Sequence, residues 1–268
     1  MMLCDKIEKA DLPFFISSMQ GAWFAEEKFD GDRIRMQIKD GNIKLFNRRG
    51  AEVTDRYPEF YPIHNDRDML LDGEMCVLDA NGLSQFNEGI AFRTHCQNPD
   101  AILEAAEAYP VTYVIFDVLE IDGNDIRDRK LIERRVWLES LDFKGPFKVS
   151  EATDDIAGMW KKVTSLGGEG IIIKKKDSPY LEGKRSSMWR KVKDIKESDI
   201  FVTSYKTNPK GIRVETNEGI ACQVAGYNAP PVKEMIDTNG KAQITIRHLG
   251  CTQNGKFRQP VFCKIVEG

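Results

Sequence analysis

Between residues 32 and 47 the chain alternates apolar and polar side chains across a tight reversal. Ile34, Met36 and Ile38 fall between Arg33, Arg35, Gln37 and Lys39, the pair Asp40-Gly41 follows, and Ile43–Phe46 supplies the return. Period-two alternation places the three apolar residues on one face of a strand, and Asp-Gly is a residue pair that two-residue hairpin turns demand. The segment is therefore a hairpin with one buried face, and it commits this half of the chain to an antiparallel sheet. Further strands are expected at Trp23–Phe29, Met69–Leu78, Val111–Leu119, Gly170–Lys174 and Met188–Lys193, with turn signals at Asp79-Ala-Asn-Gly82 and Asp122-Gly-Asn124. Helices are expected at Pro99–Ala108 (Asn98 as N-cap), at Arg129–Leu141, and at Asp154–Leu166, which Gly167-Gly168 closes.

After Lys193 the polar run Asp-Ile-Lys-Glu-Ser has linker character. Short strand candidates follow at 200–206, 212–216, 220–225, 242–249 and 261–266, with a helical piece near Val232–Asp237. Five short strands in so few residues fit a small β-barrel, of which the nucleic-acid-binding OB-fold is one form, or a small sandwich. A length of 268 residues suits two domains of unequal size. The expected class is α+β: a mixed or antiparallel sheet domain over residues 1–196, then a small β-barrel of the OB-fold type over 197–268.

The net charge of −3 conceals an asymmetry. Residues 1–157 hold 19 Lys/Arg against 31 Asp/Glu, whereas residues 158–213 hold 14 against 6. A basic stretch inside an acidic chain points to a surface that meets a polyanion, or more plainly to a solvated face. The six cysteines (4, 76, 96, 222, 251, 263) form no Cys-x-x-Cys pair, and the histidines at 64, 95 and 248 are scattered, which argues against zinc and for a reducing compartment. With no apolar run near ~20 residues and no signal-like start, membrane insertion and secretion are not expected, and the expected location is the cytoplasm.

Six blocks carry chemistry-bearing residues in a fixed order. Glu26-Glu-Lys28-Phe-Asp30-Gly-Asp-Arg33 comes first, then Phe46-Asn-Arg48-Arg49-Gly50 and Leu71-Asp-Gly-Glu74. Ile115-Phe116-Asp-Val-Leu119 follows, and Glu169-Gly-Ile-Ile-Ile-Lys174 leads to Trp189-Arg-Lys191-Val-Lys193. Singly, each block has an ordinary structural explanation; Lys-x-Asp-Gly alone is expected about 0.15 times by chance at this composition. A lysine acting as a nucleophile needs its neutral amine, and its pKa of ~10.4 can be lowered by burial or by nearby cations, which Arg33, Lys191, Lys193 and a bound metal ion could supply.

Order, spacing and residue types together resemble the motifs of the covalent nucleotidyltransferases, most closely the ATP-dependent DNA ligases. The resemblance extends to the final segment Gly255-Lys-Phe-Arg258-Gln-Pro260-Val-Phe262-Cys-Lys264, which is similar to the end of the ligase OB domain. It implies that Lys28 attacks the α-phosphorus of ATP, releasing pyrophosphate and forming lysyl-AMP, with Asp30 and Arg33 in the catalytic block. AMP would then pass to a 5′-phosphate at a nick, and attack by a 3′-hydroxyl would seal the strand and release AMP. Glu26, Glu27 and Phe29 would line the adenine pocket, Phe116 would stack on the base and Glu74 would contact the ribose. Arg33, Arg48, Lys174, Lys191 and Lys193 would serve the sugar and phosphates. Glu74 and Glu169 would hold Mg2+ or Mn2+. Arg49, Lys175, Lys176, Arg258 and Lys264 would meet DNA or phosphate.

The implied partner is nicked duplex DNA, bound by a monomer without a membrane. The sequence departs from the family pattern at Asn47, where a serine is usual, and the terminal basic motif is abbreviated. Only 27 residues precede Lys28, too few for the extra domain by which NAD-dependent ligases capture nicotinamide mononucleotide, so ATP is the expected donor. RNA ligases and mRNA-capping guanylyltransferases are the nearest rivals, and a non-catalytic OB-type nucleic-acid binder is a rival of another class. Trp189-x-Lys-x-Lys and Arg258-x-Pro-x-Phe favour DNA ligase over the former. The Lys28 block together with Glu74 and Glu169 would be superfluous in the latter.

Overall fold

A computed structural model describes residues 1–61, 67–84, 89–96, 98–216, 219–251 and 255–266, leaving aside the Ile220 side chain. His64, one of the histidines weighed for zinc, lies outside these residues. The chain divides into two compact units, Met1–Lys193 and Asp194–Gly268.

The first unit runs β1 (Leu3–Ile7), α1 (Leu12–Ser18), β2 (Trp23–Glu27), β3 (Asp32–Lys39), β4 (Asn42–Asn47) and β5 (Met69–Cys76). It continues through α2 (Ala91–His95), α3 (Pro99–Ala108), β6 (Thr112–Ile121), β7 (Asn124–Asp125), α4 (Leu131–Ser140), β8 (Phe147–Val149) and β9 (Ala152–Thr153). It closes with α5 (Ile156–Ser165), β10 (Gly170–Lys175) and β11 (Arg185–Lys193). One sheet has the order β4-β3-β5-β6-β7, with β8 parallel to β6. The other has the order β1-β11-β10-β2-β9, antiparallel except for the β1–β11 pair.

The hairpin read from residues 32–47 is β3–β4, and Ile34, Met36 and Ile38 are at most 1% exposed within the core of the first sheet. The Asn98 side chain caps α3 by accepting from the Asp100 amide, as Asn before Pro predicts. Asp155 caps α5 through the Gly158 amide, so that helix starts two residues later than expected. Helix α5 lays Ile156, Met159 and Val163 on Ile171 and Ile173 of β10 and on Ala25 of β2, covering one face of the second sheet. The opposite face of that sheet is left for the residues that line the cavity described below. Strand β1 and helix α1 had no signal in the sequence reading. Asp5 and Lys6 interrupt the apolar pattern of β1, and its partner β11 lies far along the chain.

In the second unit, β12 (Lys196–Val202), β13 (Ser204–Asn208), β14 (Gly211–Thr216) and β15 (Gly219–Ala225) precede α6 (Ala229–Asn239), β16 (Ala242–His248) and β17 (Val261–Ile265). The expected linker residues Lys196–Ser198 belong to β12, and the expected strand 200–206 is two strands. At Thr203, whose amide donates to the Glu215 carbonyl, the chain leaves one sheet for the next. No Gly or Pro marks the break, so periodicity could not show it. The result corrects the five-stranded closed barrel: six strands form two three-stranded sheets, β12-β16-β17 and β13-β14-β15, and no ladder joins them among the described residues. Val202, Val214, Val224, Ile244 and Ile246 form the core of this unit, with Val232 and Ile236 of α6. Among the described residues no helix is long and apolar enough to cross a membrane, and all six cysteines are free thiols.

Candidate active site

Strand periodicity builds the site. On β2 the cavity face carries Glu26, with Lys28 just beyond the strand; on β10 it carries Ile172 and Lys174; on β11 it carries Trp189, Lys191 and Lys193. The first sheet contributes Arg33 from β3, Glu74 from β5, directly opposite Arg33 in register, and Phe116 from β6, while Arg48 follows β4. These residues line a cavity of about 300 Å3, to which Leu3, Cys4 and Arg185 also contribute. Basic side chains outnumber acidic ones around it, so the cavity suits an anion.

Lys28 Nζ donates to Glu169 Oε2 at 2.5 Å, and Lys193 Nζ lies 2.6 Å from the other oxygen, Oε1. The Lys28 amide is fixed by the Gly170 carbonyl at 2.9 Å. Burial disfavours the Lys28 ammonium, yet the Glu169, Glu74 and Asp30 carboxylates outweigh it and raise its pKa above the ordinary value. That corrects the expectation of an amine depressed by neighbouring cations. The lowered lysine is Lys191, through burial and then Lys193, Arg185 and Lys28. The Glu74 carboxylate has no hydrogen bond or ion pair with a described residue, and burial pushes its pKa up to about 7 against the pull of Lys28 and Arg33.

At the other end of the cavity, Lys174 Nζ lies 2.9 Å from Glu26 and sits 4.5 Å and 4.4 Å from the ring centres of Phe116 and Trp189. Ser150 Oγ donates to Glu26 Oε2 at 2.9 Å. Arg33 binds Asp72 with both Nε and Nη2, and its guanidinium lies 5.2 Å from the Phe116 ring centre.

The remaining expected residues are placed as follows. Glu27 and Phe29 border the cavity; a Glu27 carboxylate oxygen, Oε1, is buried without a hydrogen-bond partner, and Lys148 lies over the Phe29 ring at 5.9 Å. Asp30 is buried beside the cavity, its amide donating to Ser84 Oγ at 2.7 Å. Arg48, not Arg49, lines the cavity: Asn47 Oδ1 accepts from the Arg49 and Ala51 amides, closing the turn that separates the two arginines. Lys175 and Lys176 do not line it, and pair instead with Asp177 at 3.4 Å and Asp154 at 2.6 Å. Arg258 and Lys264 belong to the second unit. Trp189, Leu3, Cys4 and Arg185 were not singled out as site residues; the two-residue spacing from Trp189 to Lys191 and Lys193 was the available signal for the tryptophan.

No group of three or more His, Cys, Asp or Glu gathers to hold a metal among the described residues. Magnesium, however, keeps several waters and takes one or two carboxylates plus substrate phosphates. An unpartnered Glu74 carboxylate at a cation-lined cavity fits that mode of binding and not a closed protein cage.

A family model described as the ATP dependent DNA ligase domain matches residues 1–193, the whole of the unit that carries the cavity. The chain belongs to this family. The SPbeta prophage-derived DNA ligase-like protein LigB of Bacillus subtilis (strain 168) is 31% identical over 258 residues, covering 90% of this chain and 91% of that protein. The bifunctional non-homologous end joining protein LigD of the same organism is 28% identical over 267 residues, covering 91% of this chain. This member of the ligase-domain family spans only 43% of LigD, and 37% of a probable DNA ligase of Streptomyces avermitilis to which it is 33% identical over 68% of its own length. Among solved structures, the ligase domain of M. tuberculosis LigD has a TM-score of 0.62 at 22% identity, covering 99% of this chain and 94% of that one. A Lig E DNA ligase has a TM-score of 0.67 at 19% identity, covering 99% and 98%. At these identities the two structures show a shared mixed α+β, sheet-rich fold.

Proposed function

We propose that this protein is an ATP-dependent DNA ligase that seals 5′-phosphate/3′-hydroxyl nicks in duplex DNA through lysyl-AMP on Lys28. The observation that carries the reading is the convergence of Lys28, Glu169, Lys193 and Lys191 at one end of a cavity whose other end is Phe116, Lys174 and Glu26. A nucleotide with its base on Phe116 and its phosphates among the lysines presents its α-phosphorus to Lys28, whose attack displaces pyrophosphate. The amine must lose a proton before it attacks, and Glu169 Oε2, 2.5 Å away, is the acceptor at hand. Arg48, Lys191 and Lys193 neutralise charge on the phosphates, which is the main demand of phosphoryl transfer. Glu74 and Glu169 would hold Mg2+ or Mn2+, which when bound supplies further charge neutralisation at the phosphates.

In this reading residues 1–193 are the adenylation domain, and the unit from Asp194 onward is an OB-type DNA-binding domain. Arg49, Lys175, Lys176, Arg258 and Lys264 add sequence-independent contacts to the duplex backbone. The enzyme acts as a monomer, and its six free thiols fit a reducing cytoplasm. The deciding experiment supplies magnesium and ATP labelled on the α-phosphate, then denatures the protein. Label should remain on the polypeptide and vanish in Lys28→Ala; an unlabelled wild-type protein, or a labelled variant, overturns the proposal.

A further inference from the structure

Behind one wall of the cavity, hydrogen bonds form a ring that starts and ends on Met2. The Met2 amide donates to Tyr180 Oη at 2.9 Å, and the Tyr180 hydroxyl donates to Asp72 Oδ2 at 2.5 Å. Arg33 donates to Asp72 through Nε at 3.1 Å and Nη2 at 2.7 Å, and its Nη1 donates to the Met2 carbonyl at 2.8 Å. Met2 and Asp72 are fully buried, and Tyr180 is 3% exposed. Arg33 lines the cavity, as do Leu3 and Cys4, which follow Met2; Tyr180 does not.

We infer that Tyr180 is a positioning residue for nucleotide binding: its hydroxyl ties the start of β1 to Arg33, and so sets the wall and the guanidinium that the nucleotide meets. The inference rests on the proposed reading of the cavity as the ATP site. Two observations make the ring more than a packing detail. First, the β1–β11 register shifts between Cys4 and Asp5: the wall residues Leu3 and Cys4 pair with Arg185 and Ser186, out of step with the pairing of Asp5–Ile7 to Arg190–Val192. The ring ties this shifted end of β1 to Arg33 of β3 and Asp72 of β5 in the other sheet, which pairing with β11 does not do. Second, a guanidinium is a rigid fork of five donors. Fixing three of them on Asp72 and Met2 fixes the plane of the whole group, which lies over Phe116. Tyr180 also packs edge-on to Trp189 at 5.8 Å, and Trp189 packs edge-on to Phe116 at 6.4 Å, so the same residue supports the aromatic end of the cavity.

Lys28 and Glu169 are not members of the ring. Its loss should therefore weaken ATP binding and leave the chemical step alone, a separation that mere loss of stability does not produce. Tyr180→Phe keeps the aromatic packing and removes only the hydroxyl. It should raise the Kd and KM for ATP about tenfold, with the single-turnover rate of Lys28 labelling at saturating ATP changed less than about twofold. Both assays are run below the thermal midpoint of the variant. Unchanged ATP affinity overturns the inference, even if the variant is less stable, and so does a slower saturated rate at unchanged KM. Calorimetric ATP binding keeps the two readings separable: wild-type protein that binds ATP without labelling overturns the role of Lys28 alone. Wild-type protein that does not bind ATP overturns both.

Discussion

Glu169 is shared: one carboxylate oxygen holds the Lys28 ammonium at 2.5 Å and the other holds Lys193 at 2.6 Å. The proposed nucleophile and a proposed phosphate-binding lysine are thus fixed relative to each other by one side chain, itself 3% exposed. Glu169→Gln preserves the shape but removes the carboxylate charge between two ammonium groups. Because both lysines retain some solvent, the cost in stability should be ~1–3 kcal/mol, below that of breaking a fully buried pair. Covalent labelling from ATP should drop by at least about 100-fold, measured as single-turnover label yield. Wild-type labelling in this variant would show that Glu169 is only a structural counter-ion.

Gly31→Ala should be costly for a reason unrelated to turns. A Cβ at Gly31 would lie 2.3 Å from the Met75 carbonyl oxygen and 2.8 Å from Glu74 Cγ. The glycine is therefore there for the close approach of β5, and its φ is not positive. Backbone must move to relieve the clash, so unfolding in urea should show a loss of ~1–3 kcal/mol, and Glu74 should shift with it. A variant as stable as wild type contradicts the packing described around Glu74.

Burial holds the Glu27 carboxyl up at about 7 from an ordinary value of 4.5, with Lys148 and Lys162 pulling it partly back. Between those two values the native state keeps a proton that the unfolded chain has released. This contribution to stability is therefore greatest at low pH, declines as pH rises from 4.5 to 7, and is level above that. Glu27→Gln should remove the decline, making the variant about 1 kcal/mol more stable than wild type at pH 8 and no more stable at pH 4.5; the side chain is only half-buried, which limits the size. Parallel pH profiles for the two proteins in urea unfolding would be the contrary result.

DNA binding should be dominated by phosphate contacts. Log K for nicked duplex should fall against log[salt] with a slope of about −0.9 for each neutralised phosphate, with little dependence on base sequence. Each unit has a core of its own, so a protein ending at Lys193 should remain folded while losing nick affinity. Salt-independent binding by the full chain, or full affinity in the shortened one, would contradict the two-unit account.

What could be read from sequence follows from locality. Alternation within one strand identified Ile34, Met36 and Ile38 as a buried face, and the Asn98-Pro99 pair located the start of α3, since both depend on neighbours in the chain. The cavity residues Lys28, Arg33, Glu74, Phe116 and Lys191 were legible as a set because each sits in a motif of fixed spacing. Leu3, Cys4 and Tyr180 were not, because their importance arises only when β1 meets β11 and when Tyr180 meets Asp72 across the fold. The ionisation of Lys28 could not be read either. Cations such as Arg33, Lys191 and Lys193 are visible along the chain, but only the fold brings Glu169 to 2.5 Å from Lys28 and raises its pKa.

The parallel pairing of Leu3 with Arg185 also sets an order of events during synthesis. Local hairpins such as β3–β4 can close soon after they leave the ribosome, but β1 has no partner until about 180 further residues have been made. At ~5–20 residues per second that is a wait of roughly 9–36 s, during which the apolar Met2 and Leu3 remain uncovered. Closing so long a loop also carries a large entropic cost before any contact repays it, which places this strand late in refolding from denaturant as well. One wall of the proposed nucleotide cavity is thus completed late, from a segment made well before its partner strand.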